Sequence, residues 1–454
     1  MHTASRVTQI SVLALGIAGA LAFGQAQASG FQLRENSVKN LGRANTGTAV
    51  AHDDASVVVN NPAAMVNLTQ STFQVDATSI NLDADFDGGG TTALGTPLNG
   101  GDGGDPGDPT VVPALAFVAP IGDFRLGASV SAPFGLKTEY DADWVGRYNA
   151  IKSDVKIVDL TVSAAWAVTD RFSLGASVIN QHADVTLSNA IDFGTALCVA
   201  ASPTNPGLTC GNPAFPFHPQ GADGSVQVKG DDNSWGWIVG AQWRPTDNFT
   251  IGYSHHSEID HTLEGDADFT MPASVAATLG ALGDPRFVDG SIYAPLSTPS
   301  IDTLSAQWDV NEDVRLYADV QRTGWDSLQQ VAIFRDGGTP LGAPEAFDWK
   351  NTTYVGIGGE WDLSDAFTLR AGIAHDESPT NDTTRTPRLP DNNRMLYSIG
   401  ATWHASDAFS IDAAFQRITI DTPTIDVLSS SSSRLTGEFS GHANLFGVAA
   451  QYRF

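Results

Sequence analysis

Hydrophobic and polar residues alternate one for one along most of this chain, in runs of strand length. Val158, Leu160, Val162, Ala164 and Trp166 alternate with Asp159, Thr161 and Ser163, and Trp237, Val239, Ala241 and Trp243 repeat the pattern. Phe367, Leu369, Ala371 and Ile373 do so against Thr368, Arg370 and Gly372; Phe409, Ile411, Ala413 and Phe415 do so against Ser410, Asp412 and Gln416. A period of two gives a strand two chemically different faces. Six short polar turns separate pairs of such runs. In five of them a Trp is followed six residues later by the apolar residue that opens the next run: Trp166 to Phe172, Trp243 to Phe249, Trp308 to Val314, Trp361 to Phe367 and Trp403 to Phe409. The sixth turn is Ile121-Gly122-Asp123, between Phe117 and Phe124. The other connections are long and rich in Gly, Asp and Ser. Short turns at one end, long loops at the other and an aromatic row at the short-turn end predict an antiparallel transmembrane β-barrel.

Counting the turns sets its size. Six turns join six pairs of strands, with one strand before them (near Phe73 to Leu82) and one after (Asn444 to Phe454), which predicts an all-β, 14-stranded barrel. The last run puts Phe446, Val448, Ala450, Tyr452 and Phe454 on one face and stops on an aromatic, a terminal pattern suited to outer-membrane insertion. Wall side chains alone do not fill a lumen of this width. Residues 29–70 do not read as strands, and Val57, Val58, Val59 and Met65 are too apolar for a free periplasmic tail. They are expected to form an N-terminal plug, or hatch, inside the lumen, with residues 71–454 as the barrel.

The compartment follows from the first residues. Arg6, the apolar stretch Ile10 to Phe23 and the small residues of Ala26-Gln27-Ala28 predict a secretory signal peptide over 1–28. No later run approaches the roughly 18 apolar residues of a spanning helix. An exported chain of alternating strands is expected in the bacterial outer membrane, against outer-membrane lipid and lipopolysaccharide.

Charge and cysteine content narrow the chemistry. The formal charge of −27 excludes nucleic acid as a partner. Asp83, Asp85, Asp87, Asp102, Asp105 and Asp108 are read as solvated, self-repelling outer-loop positions. The Gly/Asp run from Asp83 to Pro109 lacks the regular apolar position of calcium-binding repeats. Cys198 and Cys210, the only cysteines, fall in one proposed loop and suit a single disulfide. Neither has neighbours for a metal or catalytic role, and no cofactor is expected.

Several segments, in order, resemble the FadL family of outer-membrane transporters for long-chain fatty acids and other hydrophobic compounds. They are Gly30-Phe31-Gln32-Leu33, Leu41-Gly42-Arg43-Ala44, His52-Asp53-Asp54-Ala55 and Asn61-Pro62-Ala63 near the start. Ala132-Pro133-Phe134-Gly135-Leu136 with Thr138-Glu139-Tyr140 is similar to that family's kinked strand. The most specific match is Ala371 to Pro379, followed by Pro390-Asp391 and Arg394. The resemblance implies passive uptake by a monomer. Substrate would collect in an outer-loop groove, enter a lumen pocket closed by the hatch at Asn61, Pro62 and Ala63, and leave sideways where Pro133, Phe134 and Gly135 bend the wall inward.

Pro lacks an N–H and Gly tolerates unusual backbone angles, so a kink there is chemically reasonable, as is a plain strand end. Phe31, Arg147, Arg370, Asp376 and Arg394 are the candidate pocket residues; Arg370 alternates onto the lumen face, and each could equally serve a polar lumen network. The run Gln181-His182-Ala183-Asp184 departs from the family, whose relatives carry basic residues there. Alkanes and monoaromatics therefore stand beside fatty acids as substrates.

Two other classes are weighed. A hydrolase would need a nucleophile elbow or a zinc motif, and neither Gly-x-Ser-x-Gly nor His-Glu-x-x-His occurs. His255, His256 and His261 with Glu258, Asp260 and Glu264 read as a charged strand rim. A general porin would not need the segment before the first strand.

Overall fold

A computed structural model describes residues 30–454 apart from 108 and 202–205. The expected signal peptide, 1–28, lies outside the described residues. The strands are β1 (Thr72–Thr91), β2 (Thr110–Ile121), β3 (Phe124–Glu139), β4 (Lys152–Thr169), β5 (Phe172–Asp192) and β6 (Asp223–Thr246). There follow β7, in a lower segment Phe249–His256 and an upper one Ile259–Thr270, and β8, in an upper segment Gly290–Thr298 and a lower one Ile301–Asp309. The rest are β9 (Val314–Thr323), β10 (Thr352–Ser364), β11 (Phe367–Asp376), β12 (Arg394–His404), β13 (Phe409–Ile420, continued by Thr424–Leu428) and β14 (Arg434–Arg453). Each pairs antiparallel with its sequence neighbours, and β1 closes on β14 from Thr72↔Arg453 to Thr91↔Arg434. The barrel is a closed, 14-stranded antiparallel one with the six short turns together at one end.

Its outer face is apolar because lipid is the solvent there. Leu160, Val162, Val178, Ile357 and Ile399 are exposed on it, and Trp166, Trp243, Trp308, Trp361 and Trp403 form the belt near the turns. Aromatic rings suit that boundary because they are apolar with a polar edge. Phe124 stacks on Trp166 across adjacent strands, with ring centres 6.2 Å apart.

The terminal strands are longer than expected. β1 continues past Leu82 to Thr91 and β14 begins at Arg434. Asp83, Asp85 and Asp87, read from sequence as loop acids, are exposed positions on β1, and Leu82, Ala84 and Phe86 opposite them are buried. The alternation inverts along the strand. Lower down, Gln74, Asp76 and Thr78 face the lumen; higher up, apolar side chains face inward and acids outward, as water replaces lipid outside.

Residues 30–70 lie in the lumen as two short helices, α1 (Val38–Leu41) and α2 (Val57–Asn60), and a 3-10 turn, Pro62–Asn67. Nearly all of them are buried. The wall holds this plug with side chains that accept its backbone N–H groups, as a domain without a large core of its own requires. Asp76 accepts from Val38 (2.8 Å), Gln74 from Ala55 (2.9 Å), Asp319 from Gly47 (2.6 Å) and Ser305 from Ala49 (3.0 Å). In the outer loops, α3 (Phe193–Ala201) and α4 (Pro206–Cys210) follow β5, α5 (Ala273–Leu282) follows β7, and a disulfide joins Cys198 to Cys210.

Candidate functional site

The hatch motif works as a local cap seated on a shaved wall. Asn61 Oδ1 accepts the Ala63 N–H (3.1 Å) and so starts the 3-10 turn, and Pro62 occupies the first turn, where its missing N–H costs nothing. Asn61 Nδ2 donates to the Ala49 carbonyl (2.8 Å) and to Ala241 of β6 (3.2 Å). Ser173 Oγ donates to the Ala63 carbonyl (2.9 Å). Approach this close requires glycine opposite: a Cβ on Gly240 would lie 1.9 Å from Asn61 Oδ1.

The wall bends at β3. Its ladder to β2 stops at Leu115↔Val130, and its ladder to β4 skips Ala132 and Pro133 between Ser131↔Asp159 and Phe134↔Ile157. Above this point β2 pairs only with β1, so the wall opens between Thr110–Ala114 and Ser131–Glu139. A small cavity, about 20 Å³, is lined there by Leu33, Val112, Ala132 and Phe134 among others. The plug's first residues cover the freed edge of β3. Leu33 N donates to Pro133 O (2.7 Å), Gly135 N donates to Phe31 O (2.8 Å), and Gln32 bridges Phe134.

Phe31 also floors a second, almost wholly apolar cavity of about 110 Å³. Val155, Val185, Leu187, Val228, Leu263 and Leu296 line it from the wall; Leu328, Val331, Phe347, Trp349 and Leu389 line it from the outer loops. The Phe31 ring meets Trp325 edge-on at 4.9 Å, Phe134 at 5.7 Å and Trp349 at 5.9 Å. One residue therefore touches both the pocket and the bend.

The other sequence candidates are placed elsewhere. Arg370 is buried against Glu360 (2.6 Å), which also binds Arg43 of the plug, Arg315 (3.1 Å) and Tyr317 (3.0 Å). Asp376 accepts from Arg34 of the plug at 3.2 Å. Arg394 pairs with Asp391, whose other oxygen accepts the Gly30 N–H (2.9 Å) and the Ser378 hydroxyl (2.6 Å). These three sites latch the plug to the wall and loops and do not line the apolar cavity. Arg147 is held above it by Asp223 (3.0 Å), Tyr148 (2.8 Å) and the Asn99 carbonyl (2.6 Å). His261 is not part of a solvated rim: it is buried, 2.9 Å from Asp232 and 3.0 Å from Gln181. Burial raises the Asp391 carboxyl above the usual range, against the pull of Arg394. Burial likewise pushes Glu35 of the plug up to about 7, opposed by the Arg34 N–H.

Arg388, one of the basic residues near the proposed strands but outside the pocket candidates, is the buried cation of the apolar cavity. Its terminal nitrogens donate to Lys152 O (3.2 Å), Ser153 Oγ (3.3 Å) and Asn189 Oδ1 (3.2 Å), and its Nε stands 3.4 Å from Glu345 Oε2. Trp325, Trp349 and Leu389 were missed. The available signal was large apolar residues within otherwise polar loops.

The barrel thus has 14 strands, an internal plug and an interrupted third strand, and the family model for outer membrane protein transport protein (OMPP1/FadL/TodX) matches residues 19–454. The chain belongs to the FadL/TodX family. Outer membrane protein P1 of Haemophilus influenzae is 29% identical over 476 residues, covering 97% of this chain and 98% of P1. The long-chain fatty acid transport protein of Escherichia coli K12 is 27% identical over 460 residues, covering 99% and 100%. Among solved structures, a Pseudomonas aeruginosa FadL homologue superposes with a TM-score of 0.86 at 27% identity, over 94% of this chain and all of that one. This FadL/TodX chain is an outer-membrane protein of a transporter family, not of an enzyme family.

Proposed function

We propose that this transporter takes up hydrophobic molecules by passive diffusion, with long-chain fatty acids as its substrates. The observation that carries the substrate class is the apolar cavity with a single buried guanidinium, that of Arg388, at its wall. Each methylene moved from water into such a cavity gains about 0.8 kcal/mol, so affinity should climb with chain length. A carboxylate would take the place beside Arg388 now held by the Glu345 carboxylate, a loop side chain standing in for a headgroup.

Movement would follow from the position of Phe31. An acyl chain entering the cavity displaces that ring, and the plug strand Phe31-Gln32-Leu33 is pulled from the edge of β3. The opening between β2 and β3 is then uncovered beside lipid. Lateral exit suits an acyl chain because a water-filled passage offers it no apolar contact. Arg370, Asp376 and Arg394 serve this route by holding the plug, and the Asn61-Pro62-Ala63 turn closes it below.

The test is uptake of radiolabelled oleate by a transporter-deletion strain, with a toluene arm. Wild-type protein should restore oleate uptake, and Arg388→Gln should lower it about tenfold, as loss of a charge-assisted bond of about 1.5 kcal/mol implies. Equal uptake by Arg388→Gln would remove the headgroup assignment and leave a neutral hydrocarbon route. No uptake of either compound, with the folded barrel in the membrane, would overturn the reading.

A further inference from the structure

The wall is broken in a second place. β6 pairs with lower β7 from Thr246 to Ile238 and with upper β7 from Asp231 to Ser225. From Asp232 to Trp237 its ladder partner is β5 alone. The cause lies in the neighbouring hairpin. β7 is interrupted at Ser257-Glu258 and β8 at Pro299-Ser300, and the two breaks are level, since His256 pairs with Ile301 and Ile259 with Thr298. Both strands bend together, at a proline that has no N–H to give.

One backbone bond, from Ser257 N to Trp237 O (3.0 Å), and several side chains stand in for the missing ladder. Trp237 N donates to Ser257 Oγ (3.0 Å), Ser234 Oγ donates to Asp260 O (2.5 Å), and Asp232 accepts from Thr262 N (3.4 Å). One side chain fills the gap. Ile259 is buried on Ile179 and Ile238, in space left by Gly236, where a Cβ would lie 2.3 Å from Ile259 Cδ1. Outside the gap, Trp235 and Trp237 are exposed on the lipid face. Inside lies the cavity between plug and wall, about 70 Å³, whose lining includes Ile238, His256 and Ile301 here and Ala132 and Pro133 at the bend of β3. One lumen cavity thus reaches both breaks.

We propose that this β6–β7 window is a second lateral portal, gated by Ile259, through which an apolar solute passes between the lumen and the membrane. The proposal rests on the transport reading above. A β-branched residue has few χ1 options, so the gate opens as the hairpin flexes at its two level breaks. Fewer backbone bonds oppose that motion than across a fully paired stretch of wall.

Two experiments test it. An ideal Cβ on Gly236 lies 3.1 Å from Ser257 Oγ, a separation that suits a disulfide. Gly236→Cys with Ser257→Cys, in an Ile259→Ala background that clears the 2.3 Å overlap between the new Cβ and Ile259 Cδ1, staples the window, and Ala132→Trp fills the β2–β3 opening. Oleate uptake should fall but stay measurable in Ala132→Trp, fall at least about threefold further when the staple is oxidised, and return to the Ala132→Trp level on reduction, with reduced wild type as the control for Cys198–Cys210. An oxidised staple without effect, or no uptake in Ala132→Trp alone, would overturn the portal.

The second experiment does not depend on transport. Ile259→Cys, in the assembled barrel in vesicles, should react with a lipid-soluble pyrene maleimide faster than Ile179→Cys behind it. Equal or absent labelling would overturn the portal even where oleate is taken up. Labelling without uptake in wild type would keep the window and remove the fatty-acid reading.

Discussion

At the scale of single residues, missing atoms matter as much as those present. Gly240 leaves the room that the Asn61 amide occupies, so Gly240→Val should expel the hatch while β5 and β6 stay paired. Cells carrying it should become permeable to large antibiotics that wild-type cells exclude; unchanged exclusion would refute the close fit. Glu360 accepts from three arginines and Tyr317, two of the arginines being buried. Glu360→Gln should weaken plug docking by roughly 3–5 kcal/mol, the cost of stranding buried charge, read as faster proteolysis of residues 30–70.

Glu35 gives a pH signature. Burial pushes its carboxyl up from the ordinary 4.5 to about 7, against the pull of Arg34 and Arg394. The docked plug therefore favours the protonated form: its stability is greatest below 4.5 and declines as pH rises through about 7, by up to about 3 kcal/mol. Amide exchange in the plug should be faster at pH 8 than at pH 5, and Glu35→Gln should flatten the difference.

At the scale of elements, β3 and the hairpin of β7 and β8 depart from regular pairing, each with a proline at the break. Such breaks were half legible. The residues Pro133 and Gly135 announced an irregular strand, but whether it ended or bent depended on β4, which resumes its register with Phe134. Pro299-Ser300 carried no comparable motif. Phe31→Ala should remove the ring that joins pocket to bend. A cost of about 3–5 kcal/mol to the packing of Phe134, Trp325 and Trp349 is expected, measured as accelerated exchange at Gly135. The outer loops hold their own constraint. Reducing Cys198–Cys210 should loosen α3 and α4 and leave the barrel's melting unchanged, since no strand residue is joined by it.

For the whole molecule, the period-two pattern and the Trp turns carried the fold, because lipid enforces alternation on every strand that crosses it. Strand count and the turn end were legible on that basis alone, and the internal plug followed from the width they imply. The inversion above Leu82 was not, because an apolar-in, acid-out strand reads locally like any half-buried sheet. The site was legible only in part. Asn61, Pro62 and Phe31 belong to local motifs, whereas Arg388 meets Ser153 and Asn189 from a loop 235 and 199 residues away. Alternation put Arg370 on the lumen face, yet it could not say whether that side chain faced a ligand or the plug.

The sequence by itself determined a 14-stranded outer-membrane barrel and its turn end, which follow from short-range periodicity imposed by solvent, and a plugged lumen, which follows from the barrel's width and the apolar residues before its first strand. The tertiary structure decided which cations latch the plug, which one borders the apolar cavity, and where the wall is broken. Those depend on register between strands distant in sequence and on loops that meet only when the sheet closes. Closure turns a local alternation into a shared interior.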